Sequence, residues 1–254
     1  MLIKISVITI SQNSAETIRH TFDSVLMQTH YDIDYIVIDG ASTDNTVDII
    51  KEYETLFKGR MKWVSEPDNG LYDAINKGIS MATGDVIGCL NSDDFFTKND
   101  VLSKIADTFA DENHDIVFGD VHFVKPNNLH KRVRYYSSKR FHPRYFRVGF
   151  MPAHPSFYVR RRYYQEYGVY SLDYCISSDF DLLIRFLHMH KLRYKYIPMD
   201  FVTMRTGGTS TKNLKSRWLL NKEDIRACRK YGIKTNWFYM VLRYFYKIKE
   251  FIYP

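Results

Sequence analysis

The chain has 254 residues, 45% of them hydrophobic and 16% aromatic. That is enough for a full core in one α/β domain plus an appendage, and it excludes a disordered or low-complexity protein. The net charge is +7 and the pI near 9.1. This favours an anionic partner: a nucleotide, a membrane surface or a nucleic acid. Most acids fall in the first half, and the chain is basic from Lys125 onward. Cys89, Cys175 and Cys228 make no C-x-x-C pair, so reduced thiols and a cytoplasmic setting are expected. The N-terminus carries no signal-peptide pattern, and no apolar run is long enough to span a bilayer.

Taken in order, Ile3 to Ile10 reads as a β-branched strand. Asn13 with Glu16 predicts a capping box for a helix through about Met27, with Ile18, Phe22, Val25 and Leu26 on its apolar face. A buried strand, Tyr35 to Ile38, ends at Asp39, and a turn leads into a helix from Thr46 to about Phe57. Met61 to Val64 is a third strand, ending near Asp68, and Leu71 to Met81 is helical in pattern. Val86 to Leu90 is a short apolar run that ends at two adjacent carboxylates, Asp93 and Asp94. A helix over about Asn99 to Ala110 and a strand over Asp115 to Gly119 follow. This alternation predicts a doubly wound, largely parallel sheet flanked by helices.

After Gly119 the rhythm changes. Val121 to Val124 and Arg132 to Tyr135 read as an antiparallel pair, and Tyr135 to Phe150 as a basic, aromatic loop or short helix. Phe157 to Val159 suits a strand, Arg161 to Tyr167 a helix stopped by Gly168, and Asp179 to His190 a longer helix. Tyr196 to Pro198 and Phe201 to Met204 suit two short strands, and Thr206 to Thr211 a flexible loop. Two helices close the chain, roughly Asn213 to Tyr231 and Asn236 to Ile252.

Asp39, Asp68 and the Asp93/Asp94 pair all fall at strand ends, so they are expected to converge on one edge of the sheet, where ligands of open α/β folds collect. Two adjacent carboxylates repel each other. A hard divalent cation with oxygen ligands relieves that repulsion, and a metal there suggests a phosphate.

Several segments together resemble a known family. They are the first strand with Thr9 to Asn13, Asp39-Gly-Ala-Ser-Thr-Asp44, Glu66-Pro-Asp-Asn-Gly-Leu-Tyr-Asp-Ala-Ile-Asn-Lys-Gly78, Gly84-Asp85, Asn91-Ser-Asp-Asp94 and Ser178-Asp-Phe-Asp-Leu182. In this order they resemble family 2 glycosyltransferases with the GT-A fold, over about the first 210 residues. Each motif alone is weak, and the ordered set is specific.

The resemblance implies a single GT-A domain with a mixed sheet over 1–210, divided into a nucleotide-sugar half (1–119) and an acceptor half (120–210). A helical extension follows at 211–254. It implies an inverting sugar transfer from a nucleotide-diphosphate sugar to a hydroxyl acceptor, and by analogy a lipid-linked surface glycan as that acceptor. It assigns Asp94 to a magnesium or manganese ion, and Asp93 to the ribose or sugar. Thr9, Asp39 and Asp68 fall beside the nucleotide and Arg205 beside the donor phosphates. Asp179 becomes the base that deprotonates the acceptor hydroxyl, with Asp181 as a fallback, and His154 falls on the acceptor side. Three positions depart from the common pattern: Gly40 stands where many members carry the second of two acids, Ser178 where they carry the first acid of a pair, and Asn91 where many carry an additional Asp.

The closing helix mixes Trp237, Phe238, Val241 and Leu242 with Arg243 and Lys247, a composition that suits an anionic membrane surface, a packed core or an oligomer contact. The expected location is cytoplasmic, with peripheral contact at the inner face of the plasma membrane as an open alternative. Three rivals remain. A phospho-receiver module has no place for the residues after Gly119. A nucleic-acid-binding protein would suit the charge, but the acidic strand ends would repel a backbone, so no nucleic-acid partner is expected. A catalytically inactive relative would explain Asn91 and Ser178.

Overall fold

The computed structural model describes residues 3–207 and 214–252. Strands β1 (Ile5–Ser11), β2 (Ile33–Asp39), β3 (Met61–Ser65) and β4 (Val86–Cys89) form the parallel half of a nine-stranded sheet. They alternate with helices α1 (Ile18–Leu26), α2 (Thr46–Leu56) and α3 (Leu71–Met81). Side chains alternate across each strand. Val7, Tyr35 and Val37 therefore face α1 and α2, while Ile8, Ile36 and Ile38 face α3 on the other side.

The second half is mixed. β4 continues into β5 (Phe95–Phe96), α4 (Val101–Phe109), β6 (Ile116–Lys125) and β7 (Asn128–Tyr136). Then come β8 (Phe157–Arg160), α5 (Arg161–Tyr167), α6 (Ser178–Ile184) and β9 (Tyr194–Arg205). The strand order is β3-β2-β1-β4-β8-β6-β9-β5, with β7 on β6. β8 lies antiparallel between β4 and β6, so the sheet is mixed where the alternation alone predicts a largely parallel one.

Four local expectations are corrected. Gly119 does not end a strand: β6 runs straight through it, and the register with β9 shifts between Phe118 and Asp120. A Cβ at Gly119 would lie 2.6 Å from the carbonyl oxygen of Met199 and from the ring of Phe201. Glycine marks a bulge and a close approach here, not a boundary. Likewise the two short strands around Pro198 are one, β9, because that proline lies within the register shift and owes the ladder no hydrogen bond. The Asn13/Glu16 capping box does not form. Asn13 takes a left-handed φ of 49°, and its side-chain oxygen accepts from the amide and hydroxyl of Thr43, so α1 starts later, at Ile18. Finally, the helix after Asp179 is α-helical only to Ile184 and closes through a π-turn, Arg185–Met189.

Helices α7 (Leu214–Lys230) and α8 (Trp237–Ile252) close the chain. Ile225, Ala227, Cys228 and Met240 join the same core as α3, α5 and α6. The basic, aromatic stretch after β7 is also partly core: Phe141 and Phe146 are buried, and Asp120 accepts from the hydroxyls of Tyr135 and Tyr196 at 2.8 Å each. The predicted glycine loop lies largely outside the described residues. Among the described residues no helix is long and apolar enough to cross a membrane.

Candidate active site

The parallel register builds the first part of the site. Ser11 pairs with Asp39, and Asp39 with Ser65, so the three side chains fall in one row at the carboxyl ends of β1, β2 and β3. The Asp39 carboxylate is fully buried and accepts four hydrogen bonds. They come from Ser11 Oγ (3.0 Å), Ser65 Oγ (2.7 Å), Ser42 Oγ (2.5 Å) and the Ser42 amide (2.9 Å). Its direct role is to hold the three loops in register.

Gly40 follows Asp39, and a Cβ there would lie 2.7 Å from Asp68 Oδ2. The side-chain space that an acid at position 40 would use is thus taken by Asp68. That carboxylate is half-buried, and its other oxygen accepts from the Gly70 amide at 2.9 Å. Asp39 and Asp68 therefore do come together. Thr9 does not join them. It lies two residues below the strand end, fully buried, with its hydroxyl 2.9 Å from that of Tyr35.

Asp93 and Asp94 follow β4 on the same edge of the sheet, where Ser92 Oγ lies 2.8 Å from Ser14 Oγ in the β1 loop. Asp94 is only 1% exposed. Burial first, and then the neighbouring charge of Asp93, push its carboxyl well above the usual range. Burial also raises Asp93. Asn91 donates its amide to Asp94 Oδ2 at 3.3 Å, so the residue that departs from the common pattern supports the acid.

Arg205, the last residue of β9, reaches across to this loop. Its guanidinium donates to the carbonyl oxygen of Asp93, lies 3.0 Å from His20 Nδ1 and rests 5.3 Å from the Phe95 ring centroid. Among the described residues no group of three or more His, Cys, Asp or Glu side chains could cage a metal. Two adjacent carboxylates, Asp93 and Asp94, are the acids present at this edge. Such a pair would suit magnesium or manganese, which complete their shell with water and substrate phosphate oxygens.

Asp179 lies in the first turn of α6. Its Oδ1 accepts from the Phe180 amide at 2.8 Å and from the Tyr72 hydroxyl at 3.3 Å. Burial pushes its carboxyl up to about 7, assisted by the charge of Asp224 and opposed by those two hydrogen bonds. Three surrounding contacts hold it there. Tyr72 also donates to the carbonyl of Ile176. Asn76 clamps the backbone of Tyr170 through both amide atoms, at 2.8 and 3.0 Å. Glu223 of α7 accepts from the amides of Cys175, Ile176 and Ser177 at 2.9 to 3.1 Å.

Ser178 is fully buried and donates to the carbonyl of Ser171 at 2.7 Å, so a second acid there would be a buried charge. Asp181 is unavailable as a fallback base: it is buried, and it accepts from Lys230 (3.1 Å) and the Tyr231 hydroxyl (3.2 Å). His154 Nε2 lies 2.7 Å from the Tyr170 hydroxyl, and burial lowers the imidazole to about 4, which leaves it neutral. Tyr170 stacks on Tyr72 with ring centroids 5.7 Å apart, so His154 belongs to the shell around Asp179.

A family model, glycosyl transferase family 2, matches residues 6–168. The chain belongs to this family. A glycosyltransferase of Mycobacterium bovis named for PGL/p-HBAD biosynthesis is 29% identical to this family 2 chain over 181 residues, which are 71% of this chain and 68% of that protein. An uncharacterized glycosyltransferase of Mycobacterium tuberculosis is 40% identical over 107 residues, 42% of this chain and 40% of that one.

Among solved structures, the mannosyltransferase PcManGT from Pyrobaculum calidifontis, in complex with GDP-Man and Mn2+, aligns with 93% of this chain at a TM-score of 0.66 and 18% identity. TarS 1-349 of S. aureus, in complex with UDP-GlcNAc, aligns with 87% at 0.62 and 14%. At these identities the likeness concerns the fold, which is GT-A. The chain spans 39% of the longer TarS structure, 66% of TarS 1-349 and 66% of PcManGT.

The sequence did not single out Ser11, Ser65, His20 or Glu223. Tyr72 sits inside the Glu66 to Gly78 motif, but nothing local shows that its hydroxyl meets Asp179. Strand register could have pointed to the serines. Nothing in the sequence pairs Glu223 with a loop 46 to 48 residues earlier.

Proposed function

We propose that this chain transfers a sugar from a nucleoside-diphosphate sugar to a hydroxyl acceptor, with inversion at the anomeric carbon. The observation that carries this reading is Asp179: a half-buried carboxylate, raised to about 7, held at the start of α6 by the Tyr72 hydroxyl and the Glu223-bound loop. A carboxylate of that pKa is matched to taking a proton near neutrality. In the proposed step Asp179 accepts the acceptor's hydroxyl proton while the oxygen forms its bond to the anomeric carbon. The bond from that carbon to the phosphate oxygen breaks, and its electron pair leaves with the nucleoside diphosphate.

Asp94 would hold a magnesium or manganese ion, which supplies charge neutralisation at the departing diphosphate, and Asp93 would meet the ribose or sugar. Arg205, rooted between His20 and the Asp93 carbonyl, adds a fixed positive charge beside them. The Asp39 and Asp68 loops would receive the nucleoside. An acceptor with an apolar portion, such as a lipid-linked glycan, fits the exposed Leu71, Val169 and Leu172, which flank Tyr72 and Tyr170 in sequence.

The test is a donor screen. Purified protein is mixed with UDP-, GDP- and dTDP-sugars, with and without manganese, and thermal shift and donor hydrolysis are recorded for wild type, Asp94→Ala and Asp179→Asn. A metal-dependent shift with one nucleotide class, lost in Asp94→Ala and kept in Asp179→Asn, is expected. No shift with any donor from folded wild type would remove the reading.

A further inference from the structure

Four of the exposed large hydrophobic side chains gather on the closing helix pair: Trp218 (54% exposed) on α7, and Trp237 (43%), Phe238 (69%) and Val241 (45%) on α8. Trp218 and Trp237 stack with ring centroids 6.3 Å apart, which joins the two helices into one surface. On α8, Trp237 and Val241 are four residues apart and Phe238 and Val241 three apart, so they share a face. Large apolar side chains seldom cluster on a free surface without a partner.

The exposed charges that residues 215–244 bring to the cluster are of one sign. Within 215–244 the only acids, Glu223 and Asp224, are buried at 6% and 1%. Glu223 binds the loop before α6, and Asp224 pairs with the buried Arg243. Every exposed charge of that segment is therefore a cation. Lys215 and Lys222 lie on the Trp218 side of α7, with the Lys222 ammonium 5.1 Å from the Trp218 ring centroid. On the α8 flank the guanidinium of Arg147, from the 3-10 helix Pro143–Val148, covers Tyr239 at 4.2 Å. An exposed acid, Asp173, meets α7 through its carbonyl at Arg226, about two turns from Trp218.

We infer that this α7–α8 face docks on the headgroup region of an anionic lipid bilayer. Tryptophan and phenylalanine enter the interface while the surrounding lysines and arginines meet lipid phosphates. Charge argues against a second copy of the chain as occupant, because a two-fold contact sets the same patch against itself and would oppose cation to cation. Through Glu223, α7 is tied to the loop that ends at Asp179, so docking fixes the orientation of the proposed base relative to the membrane. The inference does not depend on the transfer chemistry.

The experiment is co-sedimentation of the full chain with vesicles of phosphatidylcholine alone or mixed with phosphatidylglycerol, compared for wild type, the double variant Trp218→Ser/Trp237→Ser and the single variant Lys222→Glu. Wild type should bind the mixed vesicles, bind phosphatidylcholine poorly and release at high salt. The double variant should lose most binding, and Lys222→Glu should lose at least about fivefold. Quenching of wild-type tryptophan fluorescence by brominated lipid reads insertion directly and covers the case in which the double variant folds poorly. Three results would overturn the inference: no binding to mixed vesicles; binding without quenching and undiminished in both variants; or a concentration-dependent dimer, or a complex with single-stranded RNA, that uses the tryptophans in place of vesicles. Donor hydrolysis in solution should be equal in the three proteins, so failure of docking leaves the transfer reading standing.

Discussion

The hydroxyl of Tyr72 lies 3.3 Å from Oδ1 of Asp179, across 107 residues of sequence. Its single proton is shared between that carboxylate and the carbonyl of Ile176. Helix α3, which lies between β3 and β4 in sequence, thereby reaches the start of α6 and touches the proposed base.

If Asp179 is the base, turnover requires its ionised form. The acid limb of kcat/KM should then rise through about pH 7, the value to which burial lifts this carboxyl. Tyr72→Phe removes a hydrogen bond that favours the anion. The limb should move to higher pH, by up to about one unit, the equivalent of one modest hydrogen bond. A pH–rate profile of both proteins checks this, and an unmoved limb would detach Tyr72 from the base.

The same shift has a consequence for stability. Asp179 has a folded-state pKa raised above its unfolded value, near 3.8. The folded form therefore binds the proton more tightly, and ionisation costs stability as pH rises from about 4 to about 7. Asp179→Asn removes that cost. The variant should be inactive yet melt higher than wild type at pH 8, and the gap should narrow as pH falls toward about 4. Thermal melts across that range read the effect.

Glu223 touches no candidate ligand-binding residue, yet three backbone amides before α6 depend on it. Glu223→Gln keeps the shape and leaves one amide oxygen to serve them. We expect kcat to fall by about 10²-fold, the scale of a small misplacement of a reacting group, with donor KM little changed. A loss confined to donor KM would contradict the assignment.

Gly119→Ala would set a Cβ against the Met199 carbonyl and the Phe201 ring, both packed in the sheet. Overpacking of this kind costs about 1–3 kcal/mol, measurable by urea denaturation, with the donor-induced thermal shift retained.

Much of this molecule is legible in the chain itself. Helix α3 runs from Leu71 to Met81 and α5 from Arg161 to Tyr167, as their local patterns predict. The strand ends at Asp39 and before Asp93 are equally local, because a buried strand reads as an apolar run whatever its neighbours. The family follows from the order of motifs around those ends. Residues whose partners lie far along the chain are another matter. Gly119 reads as a stop until Met199 and Phe201 show that it admits a close approach.

Asp181 and Asp179 are two acids in one motif, and nothing local ranks them. Tertiary structure ranks them by giving Asp181 the cation of Lys230 while leaving Asp179 only neutral donors and a raised pKa. The sequence by itself determined most of the elements and the site's edge of the sheet, because periodicity and turn chemistry act over a few residues. Only the tertiary structure decided which carboxylates are neutralised, which are held in place and which can accept a proton, because burial and charge are set by side chains that the chain brings together from a distance.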